Sequence, residues 1–127
     1  MTWFRSSSLV FLFWAVVFGV FPRFANEFAG VGYDSSPHAE DWTRLVGLFA
    51  LAFAVLLNEA HRSASGAVRR SIAVGVLVFT IPCAALMTYW QIVPDRHWFR
   101  LDILNILLLI VISYGLYSRP EVFGRVR

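Results

Sequence analysis

Lysine is absent from this chain, and all eleven of its basic residues are arginine. We read that bias as the mark of a GC-rich bacterial coding sequence. The arginines are scattered rather than gathered with aromatic residues into a stripe, so no nucleic-acid partner is expected. Cysteine is nearly absent as well. Cys83 stands alone, which excludes an intrachain disulfide and any C-x-x-C dithiol, and its place in a long apolar run marks it as a packing residue rather than a reactive thiol. Charge is scarce, at 15% of residues against about 25% in soluble domains. No glycine-rich phosphate loop, nucleophile–base pair or pair of catalytic carboxylates can be picked out, which leaves an enzyme without visible machinery.

Hydrophobic residues supply 58% of the 127 positions, and the mean hydropathy is +0.65. A soluble fold of this length could not hide so much apolar surface. The stretch Ser71 to Val93 contains no charged residue, with Arg69-Arg70 before it and Pro94-Asp95-Arg96 after it. As a helix it is roughly 34 Å long, enough to cross a hydrocarbon layer of about 30 Å. Three further apolar stretches read as its partners. The expected fold is therefore all-α: a polytopic membrane protein, one domain over 1–127, with four antiparallel transmembrane helices at about 8–21, 42–60, 71–93 and 98–118 and a long outer loop at 22–41.

Several local signals refine this plan. Cleavage of a signal peptide after Ala25 would put Arg23 where a small residue is wanted, so the first span is expected to stay. Its inward face is expected to carry Ser8, Leu12, Ala15 and Gly19. Phe21, Phe24 and Phe28 recur at helical spacing and predict a short interfacial helix. Ser36-Pro37 looks like a cap and first helical position, with Glu40 and Asp41 suited to a positive helix start. In the second span Arg44, Gly47, Leu51, Ala54, Asn58 and His61 form a polar and small face, opposite Val46, Phe49 and Leu56. Pro82 removes a backbone donor in mid-span and predicts a kink. Thr80, Ala84, Met87, Thr88 and Gln91 form the less greasy face of the third span, and Asp102, Asn105, Leu109, Ser113 and Leu116 that of the fourth. The N-terminus, the turn 61–70 and the tail hold seven arginines against four on the other side, which places both termini in the cytoplasm by the positive-inside rule.

Candidate functional residues follow from polar groups in apolar spans. Arg44, Thr88, Gln91, Asp102 and Asn105 all fall in the outer half of the bundle. Charges there are expected to pair or reach water. Together they read either as a pocket for a polar head group, a quinone or a proton, or as an Arg44–Asp102 clamp that sets helix register. His38 and His97, with Asp34, Glu40, Asp41 and Asp95, are the weak candidates for a metal, but without compact ligand spacing no metal is predicted. With no histidine inside a span, haem ligation is not expected either. Asn58, Glu59, His61 and Arg62 read as a proton relay or, more simply, as a local Glu59–Arg62 pair. The twelve phenylalanines read as lipid-facing and core bulk.

Arg44-Leu45-Val46-Gly47, followed by an apolar run, a basic turn and a further span, resembles the small DoxX-like four-helix membrane proteins. The resemblance covers the layout of most of the chain and the R-x-x-G opening of the second span. It implies a bacterial inner (cytoplasmic) membrane protein. Some relatives are proposed as membrane subunits of quinone-linked oxidoreductases. The long outer loop has no counterpart in that pattern.

The functional expectation is a non-catalytic accessory or structural subunit of a larger membrane complex. Its partners would be the lipid bilayer and other membrane subunits or further copies of itself. No cofactor is predicted, although a quinone or lipid fits the outer pocket. The alternatives are a quinone- or lipid-binding oxidoreductase subunit or enzyme, and an oligomeric transporter or channel.

Overall fold

The computed structural model describes residues 2–29, 37–92 and 100–118, apart from the side chains of residues 28, 29, 37, 90, 91 and 100–102. Nearly all described residues are helical and none is in a strand. There are five helices among them: α1 (Trp3–Val20), α2 (Pro22–Ala29), α3 (Pro37–Arg62), α4 (Gly66–Ile92) and α5 (Arg100–Ser118). Three stretches, Trp3–Val20, His38–Arg62 and Gly66–Tyr89, are long and apolar enough to cross a membrane, and the apolar part of α5, Ile103–Ser118, is shorter.

Local chemistry explains most helix ends. Thr2 caps α1 by accepting the Arg5 amide at 3.4 Å. The Phe21 backbone turns away from helical angles, and Pro22 then opens α2 at the one position where a missing amide costs nothing. Helix α3 begins at Pro37, with Glu40 in its positive first turn, and ends with His61 and Arg62 in its negative last turn. Helix α4 runs through Pro82 without ending.

Pairs of touching residues give the directions of the helices. Along α1 and α3, Thr2 meets His61, the Ser8 hydroxyl donates to the Ala54 carbonyl at 2.6 Å, and Gly19 lies against Gly47. Numbers rise on one helix as they fall on the other, so the two are antiparallel and in contact over their whole length. Helix α4 follows after the short turn 63–65, and Phe79 reaches Phe53 of α3 at a ring separation of 4.6 Å. Helix α5 packs on α4, where the Thr80 and Ser113 hydroxyls stand 2.7 Å apart. The Trp3 indole donates to the Ile112 carbonyl at 3.3 Å, which ties the end of α5 to the start of α1. The α1–α3 and α4–α5 pairs are each tightly packed, whereas α3 and α4 touch sparingly.

Two expected faces are turned from their predicted directions. On α1 the buried residues are Phe4, Ser7, Ser8, Phe11 and Trp14, while Leu12 is exposed. Bulky aromatics face the centre, and the small residues serve as points of close approach. On α3 the buried line is Thr43, Gly47, Ala50, Ala54, Leu57 and Ala60. Gly47 and Ala54 belong to the predicted face, but Arg44, Leu51 and Asn58 point outward. The inner line favours small side chains because α1 lies so close. Val46, Phe49 and Leu56 are exposed, as expected.

Candidate functional site

A cavity of about 390 Å³ lies where all five helices converge. That size is within the range of small-molecule sites, roughly 300–1,000 Å³. Its wall is mostly aromatic and aliphatic. Helix α1 gives Phe11, Trp14 and Phe18, α3 gives Val46, Phe49, Ala50 and Phe53, and α4 gives Phe79, Cys83, Leu86 and Met87. The Phe11, Phe53 and Phe79 rings follow one another at 5.4 and 4.6 Å, and Trp14 stands edge-on to Phe11 at 5.2 Å. Such spacings are those of favourable aromatic pairs. Five of the phenylalanines therefore line a hollow rather than fill the core solidly.

Three polar residues interrupt this wall: Asn26 of α2, Thr43 of α3 and Asn105 of α5. Asn26 is 2% exposed and Asn105 8%. The Thr43 hydroxyl stands 2.7 Å from Asn26 Oδ1 and 2.9 Å from the Ala39 carbonyl. It has a single proton to give. When that proton goes to Asn26, the Asn26 Nδ2 has no acceptor. Turned end for end, the carboxamide would donate to Thr43 and strand its own oxygen instead. In either placement one polar atom of Asn26 is unmatched. Asn105 Oδ1 is likewise buried without a partner. Each such group costs about 1–3 kcal/mol when left dry and unbonded.

Residues that line the cavity and are also about half exposed show where it opens. Val46 and Phe49 of α3 and Leu86 of α4 meet that description. The mouth thus lies on the side of the bundle between α3 and α4, which touch sparingly, and its lips are apolar.

Of the sequence-predicted residues, Asn105 is in the cavity wall. Thr88 is exposed and donates to the Ala84 carbonyl of its own helix at 2.7 Å. Arg44 is exposed and pairs with Asp41 at 2.9 Å and Glu40 at 3.8 Å. It lines a separate depression with Arg23, which reaches Glu40 at 3.5 Å and Glu27 at 3.9 Å. The side chains of Gln91 and Asp102 lie outside the described residues, as do Asp34, Asp95 and His97. His38 accepts the Trp42 indole proton at 2.9 Å, which occupies its Nε2 atom. Glu59 and Arg62 form the local pair at 3.6 Å, and His61 turns instead to Thr2.

Asn26 and Thr43 are the residues that sequence reasoning missed. Phe21, just before α2, and Phe24 within it are exposed, and Pro22, Ala25 and Asn26 are buried. The signal was present in the i, i+3, i+4 recurrence of these three compact residues, which can approach a neighbouring helix where phenylalanine cannot. Compared with family models, curated proteins and solved structures, the chain matches none. Its function is therefore argued from the cavity.

Proposed function

We propose that this chain is a four-span protein of the bacterial inner membrane, with both termini cytoplasmic, that holds a membrane-borne amphiphile as a non-catalytic subunit of a larger membrane assembly. The carrying observation is the cavity. It opens sideways through apolar lips, and its wall carries two carboxamides, Asn26 and Asn105, each with one buried polar atom left unsatisfied. A ligand that dissolves in lipid enters by such a route without crossing water, and its polar end satisfies the stranded groups. Three long apolar helices, the fourth apolar stretch and the seven-to-four arginine asymmetry support the membrane placement. The resemblance to DoxX-like proteins agrees with a quinone as the ligand.

The test is purification from native membranes in a gentle detergent, followed by identification of what accompanies the chain. A quinone or lipid should be retained by the wild-type protein and lost from Asn105→Leu, with larger membrane subunits present in both. Equal retention by the two proteins would overturn the cavity reading. A chain that isolates alone would overturn the subunit reading.

A further inference from the structure

Resting on that reading, we infer that the head group held in the cavity is uncharged and offers both a hydrogen-bond donor and an acceptor, as a hydroxyl-bearing ring or glycerol does. The argument begins with what the wall lacks. No charged residue is among its described lining residues. A phosphate or carboxylate placed there would be desolvated with no described lining residue to neutralise it, a cost that sites of this kind do not bear.

The nearest described arginines cannot serve as counter-ions without breaking existing contacts. Arg44 is held by Asp41 and Glu40, and Arg23 by Glu40 and Glu27, in the separate depression. Every cation there already faces a carboxylate.

What the wall does offer is complementary. Asn105 Oδ1 needs a donor, and Asn26 needs an acceptor for its Nδ2 or, with its amide turned, a donor for its oxygen. A hydroxyl supplies both roles, and a hydroxyl beside a carbonyl or ether supplies them at two atoms. Below these groups the row of Phe11, Phe53 and Phe79 presents ring faces and edges to the rest of the molecule. A cavity of about 390 Å³ admits a head and the first part of a tail, and the mouth at Val46, Phe49 and Leu86 lets the tail run out between α3 and α4. Two kinds of membrane molecule share this chemistry, a quinol and a diacylglycerol.

The test uses the full chain in detergent micelles and native mass spectrometry, with three probes offered separately: a short-tailed benzoquinol under nitrogen, a diacylglycerol, and phosphatidylglycerol. The wild type should retain at least one of the two neutral probes about tenfold better than phosphatidylglycerol. Asn26→Leu and Asn105→Leu should each reduce that retention about tenfold, the loss expected for one buried hydrogen bond. Asn105→Ala, which adds no bulk, guards against a steric cause, and the melting temperature of each sample confirms folding. Preference for the benzoquinol identifies a ring head and preference for the diacylglycerol a glycerol head; either supports the inference. Retention of phosphatidylglycerol above both, lost in the variants, overturns it and leaves the proposed function standing. Failure of the wild type to retain any probe overturns both.

Discussion

Gly47 of α3 rests on the backbone of Gly19 of α1, so that a β-carbon on Gly47 would stand 2.6 Å from the Gly19 amide nitrogen and 2.9 Å from its α-carbon. The relationship is one-sided, because a β-carbon on Gly19 would meet nothing within 4 Å. Backbone cannot swing aside as a flexible side chain can. Gly47→Ala should therefore push the helices apart and destabilise the protein by about 1–3 kcal/mol. Gly19→Ala should be neutral or slightly stabilising, since alanine is the better helix former by up to about 1 kcal/mol. Melting temperatures of the two variants in detergent decide the matter, and equal effects would contradict the packing described.

A second glycine answers to a side chain instead. A β-carbon on Gly115 of α5 would fall inside the ring of Trp3. Gly115→Ala should displace that indole and break its hydrogen bond to Ile112, lowering the melting temperature. In a Trp3→Ala background the same change should cost little. Non-additivity in this double-mutant cycle is the expected signature, and simple additivity would place Trp3 elsewhere.

Thr80 and Ser113 share a hydrogen bond of 2.7 Å across α4 and α5. Interhelical bonds of this type contribute about 0.6 kcal/mol on average within a membrane. Thr80→Val is expected to cost about that much, and Ser113→Ala should cost little more once Thr80 is gone. A coupling energy near zero would remove the bond from the account.

Asn26 and Asn105 are expected to work against stability. Replacing Asn105 with leucine removes a buried oxygen that has no partner, so the empty protein should become more stable by about 1 kcal/mol while ligand retention falls; Asn26→Leu also removes the bond from Thr43, so its gain should be smaller. Thermal melting after exhaustive delipidation isolates the first effect. A lower melting temperature would show that the carboxamides serve packing rather than a ligand.

How much of this was legible beforehand differs from helix to helix. The span at 42–60 lies inside α3, and that at 71–93 lies within α4 up to Ile92, because an uncharged or nearly uncharged run, bounded by arginine or acid, announces itself locally; residue 93 lies outside the described residues. The start of α3 at Pro37 agrees with a proline expected at the first helical position, while Ser36, the expected cap, lies outside the described residues. Helix α1 begins at Trp3, ahead of the expected 8, because Trp3 and Phe4 gain contacts with distant helices that no local pattern reveals. Asn105 was singled out because a lone amide in a leucine-rich run is conspicuous. Asn26 is not conspicuous in the same way, because it sits among phenylalanines whose helical spacing dominates the pattern of this stretch.

By itself the sequence determined that the chain is helical and where its long apolar runs lie, since each depends on residues within a few turns of one another. Only the tertiary structure decided which side of each helix faces inward. That choice depends on how closely two backbones can approach. Gly47 against Gly19 draws α1 onto α3, the looser α3–α4 contact leaves room for a hollow, and α2 turns Asn26 into it. The arrangement belongs to no single helix, because it arises from the unequal spacing among all five.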